Sequence, residues 1–176
     1  DEVKVEISGS DRPLVVKVDR ERGQCETDMP LPTGKAAIAF EGQKLDTVCF
    51  DGIIHTIVPG LPRDQRFVDG LIAAVRHAAD SSAYGILFLD GDQMTPVVYV
   101  CGTDSTVWEG SCGSGSMAVA VLGAMMQKSG VCHRTLRQPG GIIEAVAAAE
   151  DGKVVRCSMG GPVSLSEEIK WTLPKL

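Results

Sequence analysis

Cys112 lies in the run Val107-Trp108-Glu109-Gly110-Ser111-Cys112-Gly113-Ser114-Gly115-Ser116, between a strand-like segment and an apolar, alanine-rich stretch that reads as a helix. A cysteine just before a helix start faces unpaired backbone amides and the positive end of the helix dipole, which bind anions and favour a thiolate. The glycines at 113 and 115 let a ligand approach the backbone closely, so Gly113, Ser114 and Gly115 are candidate donors to a substrate carboxylate. One loop thus offers both a carboxylate cradle and an activated sulfur. The same residues also read more plainly, as a flexible Gly-Ser-Gly turn beside a small buried cysteine, and a motif this short does not separate the two readings.

The elements that must position this loop follow from hydrophobic periodicity. Val3, Val5 and Ile7 alternate with Lys4 and Glu6, and Leu14 to Val18 repeats the strand signal after the turn-forming Gly9-Ser10-Asp11-Arg12-Pro13, so a hairpin is expected within residues 1–30. Further strands are expected at 44–50, 53–58, 85–89, 97–100, 141–148 and 154–159. Two stretches have helical spacing. Residues 63–79 place Phe67, Leu71, Ile72 and Val75 on one side, with Asp64 and Asp69 near the start. Residues 114–128 are apolar almost all round, and a helix without a polar face must be buried on every side. The expected fold is therefore α+β, a sheet wrapped around a buried central helix. Pro30-Leu31-Pro32-Thr33-Gly34 is the one candidate boundary, separating a 1–30 hairpin from a domain over 31–176.

Composition narrows the partners. A net charge of -6 without any Lys/Arg cluster points away from nucleic acid and toward a small molecule or another protein, a homodimer among the options. No apolar stretch approaches the roughly 20 residues of a membrane-spanning helix. The start Asp1-Glu2-Val3-Lys4 lacks the marks of a signal peptide, so a cytoplasmic location is expected by default. The six cysteines, at 25, 49, 101, 112, 132 and 157, are scattered through apolar runs rather than spaced as a secreted framework, and no pair has CxxC spacing. Reduced thiols and no metal site are the expectation.

Four segments in order carry a family resemblance: Gly52-Ile53-Ile54-His55, the Cys112-Gly113-Ser114-Gly115 block with its apolar helix, Gln138-Pro139-Gly140-Gly141, and Val155 to Pro162. Together they resemble the C-terminal half of the diaminopimelate epimerase-like amino-acid racemases and epimerases. That resemblance implies two pseudo-symmetric halves, a cleft between them, and one cysteine from each. One thiolate removes the α-proton and the opposite thiol returns a proton to the other face, without pyridoxal phosphate or metal. His55 then assists Cys112 as a charge partner, with Glu109 as its possible helper or a site for the substrate ammonium. The second cysteine, expected before a glycine-rich helix start, is not in this sequence, which implies a missing N-terminal half as the partner.

The departures bear on substrate. Thr103-Asp104 stand where the family carries a Glu-Arg substrate pair, Ile53 stands for one asparagine and Gly85 for another. Loss of the arginine and the two asparagines points away from diaminopimelate, since a site built around a hydrogen bond strongly rejects ligands lacking its partner. Thr103 and Asp104 are kept as candidate substrate contacts, and a histidine racemase-like member, with its similar Cys-Gly-Ser-Gly-Ser loop, is the narrower match. Two alternatives stay open: a phenazine-biosynthesis-type isomerase of the same fold, which uses a carboxylate base, and a ligand-binding half-domain without turnover. Taken singly, His55 also reads as a satisfied core histidine and Glu109 as a solvated loop carboxylate. His77, His133, Trp108 and Trp171 read as having no part in the chemistry.

Overall fold

The computed structural model describes residues 1–6, 13–164, 167–170 and 172. In chain order the elements are β1 (Glu2–Val5), β2 (Leu14–Asp19), β3 (Gln24–Asp28), β4 (Gly34–Phe40), β5 (Gln43–Phe50), β6 (Ile53–Pro59), α1 (Gln65–Ala78), β7 (Ala83–Asp90), β8 (Gln93–Val100), a 3-10 turn (Cys101–Thr103), β9 (Ser105–Trp108), α2 (Gly113–Met126), β10 (Gly130–Gln138), β11 (Gly141–Glu150) and β12 (Lys153–Pro162). Both expected helices and all the expected strands are present. The turn expected at 9–13 and Trp171 fall wholly or mainly outside the described residues.

The strands join in the order β1-β2-β3-β12-β11-β10-β8-β7-β6-β5-β4, with β9 added to β8. Most neighbours are antiparallel; β6 and β7 are parallel because α1 connects them, and β10 meets β8 in parallel at the single pair Arg137 and Gln93. β3 pairs with β12 and carries the β1–β2 hairpin into the same sheet. Residues 29–33 then link β3 to β4, with Met29 N–H donating to Cys157 carbonyl and Thr33 N–H to Cys49 carbonyl.

Alternation along the middle strands sorts side chains onto two buried faces. On β7, Tyr84, Ile86 and Phe88 pack with Phe67, Val68, Leu71, Ile72 and Val75 of α1, while Leu87 packs on the opposite side with Met117 to Val121 of α2. A sheet covered on both faces needs apolar residues at every position, which is why 84–89 reads as a continuous run. Helix α1 is amphipathic and starts at Asp64, whose carboxylate accepts from Phe67 N–H at 2.9 Å.

Helix α2 is buried from Gly115 through Val121 and touches β10, β11 and β12, and also β5 and β6. Its small residues let it sit close. Ala145, Ala147 and Ala149 of β11 belong to the core it forms, and a Cβ at Gly123 would come 2.5 Å from Cys132 Sγ. Among the described residues no helix is long and apolar enough to cross a membrane.

Four strands escape the periodicity. β3 (Gln24-Cys-Glu-Thr-Asp28) is nearly all polar, β9 is four residues long, and β4 carries three alanines and a glycine, too small to register as a hydrophobic stripe. In β10 the inward set is Cys132, Leu136 and Gln138 among Arg, His and Thr, and such mixed alternation is weak.

Candidate active site

Strand β9 and helix α2 deliver the Glu109–Cys112 loop. Glu109 N–H donates to Pro96 carbonyl at 2.9 Å and extends the β8–β9 ladder by one rung. Gly140 N–H then donates to Gly110 carbonyl at 2.6 Å, and a Cβ at Gly140 would come 3.1 Å from that carbonyl, so the β10–β11 turn and the loop meet backbone to backbone. Cys112 follows in an extended conformation (φ -134°, ψ 111°) as the residue that caps α2, buried to 7% exposure.

Around the sulfur lie three polar groups. Ser114 Oγ is 3.7 Å from Cys112 Sγ and 2.9 Å from His55 Nε2, so the serine hydroxyl stands between thiol and imidazole. The Glu109 carboxylate lies beside the thiol and raises its pKa, and its Oε2 is buried with no partner among the described residues. The first amides of α2, at Gly113 and Ser114, have no intrahelical acceptor and sit in half-buried residues, as an anion site requires.

His55 reaches Ser114 from β6, where it is wholly buried, edge-on to Phe50. Its ring occupies space that a side chain at residue 85 would fill: a Cβ on Gly85, its partner across the β6–β7 ladder, would overlap Nδ1 and lie 2.6 Å from Cε1. The glycine that stands for a family asparagine is thus the residue that makes room for the imidazole.

The electrostatics reverse two expectations. Burial pushes the Cys112 thiol up to about 11, and the Glu109 carboxylate beside it adds to the rise; the Gly115 amide and the Ser114 hydroxyl pull the other way but lose. Position at a helix start therefore does not acidify this sulfur, because desolvation of a thiolate outweighs a few oriented amides. Likewise His55 is not a positive neighbour: burial lowers it to about 4, so it is a neutral hydrogen-bond partner of Ser114.

The other expected residues divide. Gly113 and Gly115 sit close under neighbouring side chains: a Cβ at 113 would come 2.9 Å from Met159 Sδ and one at 115 would come 2.7 Å from Leu87 Cδ2, so those side chains would have to shift. Thr103 and Asp104 lie at the far end of β9 from Glu109, about 16–20 Å of extended chain away. There Thr103 Oγ1 pairs with Ser105 Oγ, and Asp104, at φ 47°, accepts from Tyr99 hydroxyl at 2.8 Å. They are corner residues, removed from Cys112. Trp108 packs on Phe88 and donates to Gln65. Two site residues were not singled out from sequence: Ser116, looking like one more loop serine, and Gln138, visible only as part of a weak Gln-Pro-Gly-Gly motif. Gln138 Oε1 accepts from Cys112 N–H at 2.8 Å, and its Nε2 donates to Ser116 Oγ at 2.9 Å.

A family model described as the histidine racemase CntK N-terminal domain matches residues 1–170. The chain belongs to this family. A histidine racemase of Fusobacterium nucleatum subsp. nucleatum is 31% identical over 148 residues, covering 81% of this chain and 53% of that protein. The chain thus spans about half the length of the curated relative it matches. Among solved structures, a hydroxyproline epimerase from Agrobacterium vitis with bound trans-4-hydroxy-L-proline is similar at TM-score 0.55 and 16% identity, over 85% of this chain and 54% of that one. A phenazine-biosynthesis PhzC/PhzF-type protein from Clostridium difficile is similar at TM-score 0.54 and 10% identity, over 92% and 62%. At these identities the two structures show the fold alone. The CntK model is described as an N-terminal domain, whereas the motif order resembled a C-terminal half; either placement leaves one loop of the Cys112 kind in this half.

Proposed function

We propose that this chain is one half of a pyridoxal-phosphate-independent amino-acid racemase, with histidine as the leading substrate, and that Cys112 is the proton-transferring thiol of this half. The observation that carries the reading is the arrangement at the start of α2: a buried thiol with a carboxylate against it and two open helix amides beside it. Membership of a histidine racemase domain family supports the substrate class. The sheet, touching α2 from both arms, is read as wrapped around it, which would make the loop a fixed rather than a mobile platform.

In this reading the substrate carboxylate binds the Gly113 and Ser114 amides, which stabilise the charge that develops when the α-carbon loses its proton. Held protonated, Cys112 begins as the donor: a thiolate from the other half removes the α-proton and Cys112 delivers its own to the opposite face. Glu109 is the group that can shuttle a proton to or from Cys112, and Ser114 ties the sulfur to neutral His55. In the reverse direction Cys112 is the base. The chain by itself holds one such thiol and is expected to bind without turning over. The six unpaired cysteines suit a reducing, cytoplasmic setting.

Deuterium incorporation at the α-carbon of L- and D-histidine in D2O, by the full-length protein, tests the proposal. Absence of exchange with histidine and with a panel of other amino acids overturns the racemase reading, and exchange undiminished in Cys112→Ala overturns the role of the thiol. The phenazine-type alternative is kept alive by one feature, the Glu109 carboxylate in the same loop. It predicts that Glu109→Gln abolishes turnover while Cys112→Ser keeps it.

A further inference from the structure

Gln138 stands at the end of β10, twenty-six residues from Cys112, yet it closes a ring with the first turn of α2. Its Oε1 accepts from Cys112 N–H at 2.8 Å, its Nε2 donates to Ser116 Oγ at 2.9 Å, and Ser116 Oγ donates in turn to Cys112 carbonyl at 2.7 Å. All three residues are buried, with Gln138 at 9% and Ser116 at 0% exposure, which largely shields these bonds from solvent. Both backbone groups of Cys112 are therefore held from outside and inside the helix at once. The next turn of the same hairpin adds the Gly140–Gly110 backbone bond at the other end of the loop.

From this ring we infer that Gln138, acting with Ser116, is a positioning residue that clamps the peptide of Cys112 and thereby aims its sulfur between Glu109 and Ser114. A primary amide is the side chain suited to the task, because it must accept from a backbone amide and donate to a hydroxyl in one plane. A carboxylate cannot donate, and an apolar side chain leaves the Cys112 amide buried and unpaired. Without the clamp the extended conformation at Cys112 has only the single Ser116 N–H bond to its carbonyl to hold it, and the loop can swing toward solvent. The inference rests on the reading of Cys112 as the working thiol, but it makes a structural claim that is read without activity.

Peptide-resolved alkylation of the full-length protein by iodoacetamide, followed by mass spectrometry across pH, reads the clamp directly. Gln138→Met is expected to raise the alkylation rate of Cys112 at least fivefold and to move its midpoint to lower pH, with Cys132 and Cys157, also buried but remote from Gln138, unchanged. Gln138→Glu keeps the acceptor for Cys112 N–H and adds a negative charge, so its midpoint should move to higher pH instead. Ser116→Ala should resemble Gln138→Met, and the double variant should add little. In the exchange assay Gln138→Met should lower kcat about 10- to 100-fold with KM changed less than threefold. A folded Gln138→Met whose Cys112 reacts as in the parent overturns the clamp, and so does a rise shared equally by Cys132 and Cys157, which reports general loosening. Should Gln138→Met fail to fold, Ser116→Ala decides in its place: a selective rise at Cys112 supports the clamp, and a Cys112 that reacts as in the parent overturns it. If no amino acid exchanges in the parent yet Cys112 alone responds, the racemase reading fails and the clamp stands; exchange with an unresponsive Cys112 gives the converse.

Discussion

Replacing Gly85 by alanine adds one methyl group at the place where the structure has the least room for it. The new Cβ would overlap His55 Nδ1 and lie 2.6 Å from Cε1, and because His55 is wholly buried its ring has no free direction in which to retreat. Overpacking of this kind costs about 1–3 kcal/mol. Turning the ring away also breaks its 2.9 Å bond to Ser114, a further loss of about 1 kcal/mol. Against this, alanine restricts the unfolded chain and returns about 0.4–1 kcal/mol. The net destabilisation expected is about 1–3 kcal/mol, a fall in Tm of roughly 3–10 °C for a domain of this size. Urea unfolding followed by circular dichroism measures it, and a second background makes the test specific. In His55→Ala the ring is gone, so Gly85→Ala should be neutral or stabilising there. A cost below about 0.5 kcal/mol in the parent, or the same cost in both backgrounds, would refute the claim that residue 85 is glycine on account of the imidazole.

Other outcomes follow from the same geometry. His55 has its pKa lowered from 6.5 to about 4, so above pH 6.5 it is neutral in both states, and below that the unfolded chain takes up a proton the folded one refuses. Stability should therefore fall between pH 6.5 and 4 by roughly 3 kcal/mol, with a flatter acid limb in His55→Asn. The Cys112 thiol, raised to about 11, should alkylate slowly at neutral pH with a midpoint near that value, and Glu109→Gln should lower the midpoint by removing the adjacent negative charge. Asp104→Ala should leave α-carbon exchange within twofold of the parent, because Asp104 bonds Tyr99 at the far end of β9; a loss of ten-fold or more would restore it as a substrate contact. Asp64→Ala removes the cap on Phe67 N–H and should cost about 1 kcal/mol in urea unfolding while sparing the Cys112 loop.

Much of the frame can be read from residue order alone, because periodicity and burial are both consequences of side-chain hydrophobicity. The apolar, alanine-rich run after Cys112 could only be a buried helix, and α2 is one; the spacing of Phe67, Leu71, Ile72 and Val75 marks α1. β3 and β9 were invisible because their strand character comes from pairing partners rather than from their own side chains. The position of Cys112 before that helix was equally legible. What it meant for the sulfur was not. Proximity to helix amides is a local property, whereas burial under neighbours distant in sequence is not, and here burial prevails and keeps the thiol protonated. In the same way the pairing of β6 with β7 puts His55 against Gly85, and the β10–β11 hairpin brings Gln138 to Cys112 N–H. A sequence names the groups that can donate, accept or ionise. Which of them meet, and how much water is left around them, is decided only when strands far apart in the chain are laid side by side.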